Sequence, residues 1–503
     1  MNPYNLDISG DWDTDPAVLE KFSRDMSAYR IVPALVVAPK NEEDVLRTLR
    51  FAHNEGLGIV SRSGGSDLSG ASIGPGIILN FKKYFNRAIR LGEDAIVEPG
   101  MILDDFLKKI SAHNLMLPAV PSSSALCALG GNVGTRATGP RTAKYGTLDA
   151  FVTSLRFITA GGQVVDTAQS LPDDLSTGLR RIQQKFLDDA ASRAIVDRRP
   201  FIAGGYNLKA LTQYSDMGEL AAHLLVGSIG TLGIVTEIRL KLIDKRPSQG
   251  TLVAHFRDYE ELAAAALRLK ALDPAALEYS DASCAGHVNG KILNLEDPGM
   301  VGTMIAEFDA SFEQAQEGRK ILETCNISRL WVISSASPEE AALWQDRRRT
   351  QPSLLKYCRQ KSLLLPPIID DIAFHLKDFG PISKELGDLM RRLGHEISVY
   401  GHLGFGSIHA RPYFDPAQGG LEEQIETVSQ EAFKILHKYN GTLVGEHNAG
   451  RSRSVYLEME LGPAYTYLHE IKKLFDPADL LNPGSLFDTD PICTHMDFSP
   501  MRH

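Results

Sequence analysis

The chain predicts an α+β protein of two mixed domains, a return segment and a tail, and three observations support this. Its 503 residues exceed what one hydrophobic core usually serves. Helical and strand-like patterns are interspersed up to about residue 245, broken by three glycine-rich turns. After the polar break Asp244-Lys245-Arg246-Pro247 the order becomes that of a sheet backed by helices on one face, ferredoxin-like in style. The expected divisions are 1–245, 246–440, 441–490 and 491–503.

In the first division a helix is expected over 16–30, then a short strand Ala34–Val37 after Pro33. Asn41 caps the next helix, which has acids in its first turn and Gly56 as its stop. Strands Leu57–Ser61, Ile77–Asn80 and Ala95–Glu98 precede an amphipathic helix, Leu103–His113. Segments 153–159 and 161–165 read as a hairpin, and Val226–Leu242 passes from a glycine-rich turn into strand alternation. In the second division strands at 251–256, 275–280, 301–308 and 328–334 alternate with helices at 258–273, 311–325 and 338–358. A strand (363–374), a helix (380–393), a hairpin (396–410) and a long helix (420–439) complete it. A helix at 462–475 follows, and the tail reads as a truncated connection without chemistry of its own.

A net charge of −10 argues against a polyanion partner, so nucleic acid is set aside. No apolar run approaches the roughly 18 residues a membrane span needs. The acidic start MNPYNLDISGDWDTDP has neither an apolar core nor an Arg-rich face, so no signal or transit peptide is expected. The five cysteines lie far apart with no CxxC pair, which fits a reducing compartment and argues against an iron–sulfur centre held by this chain alone. A cytoplasmic location is expected, with peripheral membrane attachment and self-association left open.

Two loops carry the first chemical signal. Leu117–Gly146 is too rich in Gly, Pro and Ser for a helix or strand of any length, with Gly130, Gly131, Gly134, Gly139, Pro140 and Gly146 in its second half. Residues without a Cβ let successive N–H groups converge into a nest for an anion. Alone, the stretch is equally compatible with a long surface loop. A second such loop, SRSGGSDLSG at Ser61–Gly70, directly follows the apolar run Gly58-Ile59-Val60. Two of them suggest a large phosphate-bearing cofactor. Neither is a GxGxxG fingerprint or a P-loop.

The hairpin VYGHLGFGSIHARP, Val399–Pro412, carries the second signal. With Phe405-Gly406 as a two-residue turn, His402 would face His409 across the strands, a spacing suited to one zinc-like ion. Glu446, in a glycine-flanked loop, is the candidate third ligand. By spacing alone, the two histidines fit ordinary strand positions equally well. Neighbouring Glu446 and His447 could serve one site only on irregular backbone, which Gly445 and Gly450 permit.

Seven pieces in order carry a resemblance: RSGGSDLSG (62–70), GGNVGTRATGPRTAKYG (130–146), GSIGTLGIVTEIRLKL (227–242), LWQDR (343–347), GHLGFGSIH (401–409), GEH (445–447) and FDPADLLNPG (475–484). Over nearly its whole length the chain resembles the FAD-linked D-2-hydroxy-acid dehydrogenases of the vanillyl-alcohol-oxidase fold. That group includes D-lactate dehydrogenases, glycolate oxidase large subunits and D-2-hydroxyglutarate dehydrogenases. The resemblance implies a two-part FAD-binding domain of that type, a substrate (cap) domain carrying the metal hairpin, and a C-terminal return to the flavin. It implies FAD contacts from Arg62, Ser63, Gly64, Gly65, Ser66 and Leu68 in the first loop. The second loop would add Pro121, Ser122, Gly130, Gly131, Asn132, Gly134, Thr135, Gly139, Tyr145 and Gly146. Gly230, Gly233 and Ile234 would lie along the adenine side, and Asn482 near the flavin ring. Several relatives attach FAD through a histidine directly after the RSGG piece; Ser66 stands there, so non-covalent FAD is expected.

The resemblance further implies that His402, His409 and Glu446 bind a divalent metal such as zinc. His447 would then be the catalytic base, and Arg347 the grip on the substrate carboxylate. Two departures are visible. Relatives usually read GDGN where this chain has Gly404-Phe405-Gly406-Ser407, and Ser407 could partly replace the missing Asn. A Lys common in relatives acting on D-2-hydroxyglutarate is replaced by Ile369, ahead of Asp370-Asp371, and Arg411 could grip a distal carboxylate instead. The implied activity is oxidation of a D-2-hydroxy acid with electrons passed to a separate acceptor: a quinone, an electron-transfer flavoprotein or an iron–sulfur subunit. The alternatives are an oxidase using O₂ and a non-catalytic flavoprotein subunit.

Overall fold

Asn41 caps the helix Glu42–Glu55 by accepting the Asp44 N–H, and Gly56 ends it in the left-handed region at φ 66°. In the computed structural model, which describes residues 4–199, 204–288 and 299–499, this helix packs Val45, Leu49 and Ala52 on a four-stranded sheet. Strands Leu35–Ala38, Ile77–Asn80 and Ile59–Arg62 run parallel there, with Asp11–Asp13 added antiparallel at one edge. A five-stranded antiparallel sheet follows, in the order Ala88–Arg90, Asp94–Val97, Ile234–Lys241, Val152–Ile158, Val164–Asp166. After the second half the chain returns here, where Val444, Leu457, Leu468, Ile471, Phe475 and Leu486 join the core.

The second sheet region has seven antiparallel strands. Their order is Ile327–Ile333, Gly250–Phe256, Gly302–Phe308, Ala276–Asp281, Ile397–His402, Ser407–Pro412, Ile372–Ala373. Alternation gives it two unlike faces. Leu252, Phe256, Leu277, Met304, Phe308 and Ile408 pack under the helices Tyr259–Lys270, Phe312–Glu323, Phe379–Leu393 and Leu421–Lys438. The opposite face carries Glu278, Tyr400, His402, Ser407, His409 and Arg411, all buried. A buried polar face of this kind is where chemistry is expected.

Three expectations need correction, and the tail adds an observation of its own. The helix at 16–30 stops at Phe22, because Asp25 captures the Ser27 N–H and hydroxyl and the Ser72 hydroxyl, a local alternative to helical bonding. The stretch after Leu117 does hold two short helices, Leu129–Thr135 and Thr142–Tyr145; a Cβ on Gly130 would stand 2.5 Å from the Pro99 side chain, so only glycine lets the first pack there. The strand at 363–374 shrinks to Ile372–Ala373, since Asp370 and Asp371 turn into the buried polar region. The tail is docked as far as it is described: the Tyr29 hydroxyl donates to the Ile492 carbonyl at 2.7 Å, and the Arg30 N–H to the His495 carbonyl at 3.0 Å. Residues 500–503 of that tail lie outside the described part.

Candidate active site

The three glycine turns converge on one cleft, whose empty space with the open solvent at its mouth is about 1090 Å³. Of the residues expected at a cofactor, Arg62, Ser63, Gly64, Gly65, Ser66, Pro121, Gly130, Gly131, Asn132, Gly134, Thr135, Gly230 and Gly233 line it. The loops are bound to each other through backbone groups and a serine hydroxyl. The Gly131 N–H donates to Ser63 Oγ at 2.9 Å, and the Ile229 N–H to the Gly134 carbonyl at 2.8 Å. A Cβ on Gly64 would lie 2.6 Å from the Leu126 carbonyl oxygen, so the first loop reaches the second at a distance only glycine allows. A long cradle of glycine and backbone fits a dinucleotide-sized ligand with a pyrophosphate.

Seven expected cofactor residues lie off the cleft wall. Leu68 is buried, Ser122 is exposed, and Ile234 is a core residue of its strand. Gly139 is pressed against the Val120 carbonyl, where a Cβ would come within 2.2 Å. The Tyr145 hydroxyl donates instead to Asp309 of the seven-stranded half at 2.5 Å, and Gly146 ends the short helix beneath it. Asn482 braces the wall from behind: its amide donates to the Ala71 and Ile229 carbonyls, both at 2.8 Å. Ile229 needs that brace. It is a β-branched residue at φ 47°, a conformation costing about 1–3 kcal/mol, and it lines the cleft.

The hairpin register differs from the expected one. Leu403–Phe405 forms a 3₁₀ turn and Gly406 takes φ 79°, so the connection has four residues. His402 therefore faces Ser407, and His409 faces Tyr400. Residues two apart share a strand face, so the two imidazoles remain on one side as diagonal neighbours, with ring centres 6.3 Å apart. Glu446 and His447 reach them from a loop without regular structure. Asp371 holds that loop by accepting the His447 N–H on its side chain and the Gly445 N–H on its carbonyl. A Cβ on Gly445 would stand 2.7 Å from Ser407 Oγ and 2.9 Å from Asp371 Oδ1, so a larger residue just before Glu446 would have to displace two side chains that position this loop.

One ligand atom each from His409, Glu446 and His447 falls within a mutual 4.8 Å, and His402 Nε2 lies 3.7 Å from Glu446 Oε2. Glu278 holds His402 by a hydrogen bond at Nδ1, 2.7 Å, whereas His409 Nδ1 stands 3.1 Å from Asp370 Oδ1 as a close charge contact without hydrogen-bond geometry. That leaves Nε2 of both for the cluster. Carboxylate-braced imidazoles beside a free carboxylate are the donor chemistry a divalent ion takes.

Charge follows from these contacts. Burial alone would raise Glu278, but His402 and Arg347 beside it hold it below the usual carboxylate range. Burial likewise opposes the ionised form of Glu446, and His402, His409 and His447 overcome it, so its carboxyl is depressed. His402 is raised, because Glu278 and Glu446 outweigh its burial. His447 goes the other way: burial pushes the imidazole down to about 4 despite Glu446. It is therefore neutral at ordinary pH and can accept a proton.

Arg347 does not line the cleft. Its Nε and Nη2 both donate to Glu278 Oε2, at 3.0 and 2.6 Å, with the pair fully buried. Its guanidinium is thus directed at a protein carboxylate rather than presented to a ligand. Arg411 is likewise buried against Asp370, at 2.8 Å. Sequence reasoning missed Glu278, Asp370, Asp371 and Thr138. Glu278 had a readable signal: an acid at the centre of the strand ALEYSD, between core residues Leu277 and Tyr279, must find a buried partner.

Residues 33–168 match the FAD binding domain, and residues 245–486 match the C-terminal domain of the FAD linked oxidases. The chain is 27% identical over 479 residues to glycolate oxidase subunit GlcD of Bacillus subtilis, covering 92% of this chain and 90% of that one. It is 27% identical over 520 residues to D-2-hydroxyglutarate dehydrogenase of Escherichia coli, covering 95% of this chain but 50% of that longer protein. In fold it is similar to a solved alkyldihydroxyacetonephosphate synthase, with a TM-score of 0.65 at 16% identity over 94% of this chain and 83% of that one. These likenesses agree with the expected vanillyl-alcohol-oxidase architecture.

Proposed function

Since this chain belongs to the FAD-linked oxidases, of the D-lactate, D-2-hydroxyglutarate and glycolate oxidase group, we propose that it oxidises a D-2-hydroxy acid to the 2-oxo acid and passes the electrons to a separate acceptor. The observation that carries this reading is continuity: Glu446 and His447 line the same cleft as the glycine loops. A base and a cofactor cradle therefore face one volume.

FAD held non-covalently by the glycine loops supplies the two-electron acceptor. A divalent ion held by His402, His409 and Glu446 would supply Lewis-acid stabilisation of a developing alkoxide. These three are assigned to the ion because Glu278 braces His402 at Nδ1, the Asp370 carboxylate lies beside Nδ1 of His409, and Glu446 is ionised. His447 is the proposed base, taking the substrate hydroxyl proton on its unprotonated ring nitrogen. Glu278 fixes the ring orientation and tautomer of His402, and Arg347 holds Glu278 in turn, so Arg347 acts on the site as a positioning residue. Asp371 sets the backbone from which Glu446 and His447 project.

Anaerobic mixing of the FAD-loaded protein with paired D- and L-2-hydroxy acids tests the reading. Loss of the oxidised flavin absorbance with D-isomers alone is expected. Equal bleaching by L-isomers, or none by any 2-hydroxy acid, would contradict it.

A further inference from the structure

Both oxygens of Glu446 are engaged by hydroxyl groups, and the two donors come from different halves of the molecule. The Ser407 hydroxyl, on the hairpin, donates to Oε1 at 2.7 Å. The Thr138 hydroxyl, on the second glycine loop, donates to Oε2 at 2.5 Å. All three residues are buried, and Thr138 also lines the cleft. Resting on the metal-assisted reading above, we propose that Thr138 is a positioning residue that aims the Glu446 carboxylate from the cofactor side.

The backbone around Thr138 supports such a role, because it cannot drift. The Ala137 N–H donates to the Asn132 carbonyl and the Leu148 N–H to the Ala137 carbonyl, both at 2.9 Å. The Gly139 N–H is taken by Thr142 Oγ1 at 2.8 Å, and Gly139 itself abuts the Val120 carbonyl. A short hydroxyl–carboxylate bond from so rigid a donor is charge-assisted and directional. Without it, the carboxylate keeps the Ser407 hydrogen bond on Oε1, while His402 Nε2 stands 3.7 Å from Oε2, beyond hydrogen-bond reach. Residues that hold a metal ligand in this way typically change metal affinity by about 10–100-fold when removed.

Thr138→Val keeps the shape and deletes the hydroxyl, whereas Thr138→Ser keeps the hydroxyl and deletes the methyl. Zinc affinity of the FAD-loaded full chain is measured by competition with a chromophoric chelator, and flavin content by absorbance in the same sample. The expected result is roughly 10–100-fold weaker zinc binding in T138V, parental affinity in T138S, and unchanged flavin content in both. Parental zinc affinity in T138V overturns the proposal and leaves the metal reading standing. Joint loss of flavin and zinc in T138V also overturns it, because the residue would then be shaping the cleft. If the parent binds no zinc, or binds it equally well as His409→Ala, the metal reading falls and the proposal falls with it.

Discussion

The cleft and the charged corner at its side are built from opposite materials. The cleft is backbone and glycine: its loops meet at distances that exclude a Cβ, and its hydrogen bonds run between main-chain groups and small hydroxyls. The corner is buried ionisable side chain: Arg347, Glu278, His402, Glu446, His409, Asp370 and Arg411 form a chain of contacts on one sheet face. A cleft of the first kind recognises by shape and tolerates little added volume. A corner of the second kind tolerates volume better than an unbalanced charge, because each ion is neutralised only by its neighbours. Substitutions in the two regions should therefore fail in different ways.

The largest effect is expected at their junction. His447→Asn should lower the rate of flavin reduction roughly 10²–10⁴-fold while leaving flavin bound, as loss of a general base does. Stopped-flow reduction beside a flavin spectrum measures both. Within the corner, Glu278→Gln leaves buried Arg347 without its counter-charge, and removing one partner of such a pair costs about 3–5 kcal/mol. Urea unfolding should show that loss, and a near-parental midpoint would mean the corner is not charge-balanced as described. Within the cleft, Gly64→Ala forces a Cβ to 2.6 Å from fixed backbone. Overpacking costs about 1–3 kcal/mol, and to the extent that the loop yields to the clash, FAD retention weakens by up to roughly 5–150-fold, read by dialysis beside the unfolding midpoint.

The last expected effect, confined to a pH window, lies beyond the corner at Asp281. Its carboxylate accepts the Cys284 and Val399 N–H groups at 2.7 and 2.8 Å, yet burial raises its pKa to about 7. The folded protein therefore holds this proton more tightly than an unfolded carboxyl of about 3.9 does. Its contribution to stability is full below about pH 4 and is lost as pH rises through about 7. Asp281→Asn should flatten that part of the profile, seen as a smaller drop in unfolding midpoint between pH 5 and pH 8 than the parent shows.

The two regions were also unequally legible in the sequence. Glycine loops announce themselves, and thirteen residues expected from them do line the cleft. Helix ends with local chemistry, such as Asn41 and Gly56, were equally clear. The corner was harder, because its partners are distant along the chain: 124 residues separate Glu278 from His402, and 308 separate Thr138 from Glu446. The hairpin histidines were found with the wrong register, since nothing local revealed that Leu403–Phe405 would wind into a 3₁₀ turn. Their shared face survived the error because moving from a direct to a diagonal pairing keeps the side-chain parity. Asp370 and Asp371 were read within a strand; tertiary charge partners, invisible to a local pattern, decided otherwise.

The account stands on the corner and the cleft acting on one substrate. Its most direct test is to strip the FAD-loaded protein with a chelator and then add zinc back, following anaerobic flavin reduction by a D-2-hydroxy acid found active. The account expects the stripped protein to stay yellow and unreduced, and added zinc to restore reduction. Undiminished reduction after complete stripping would contradict it.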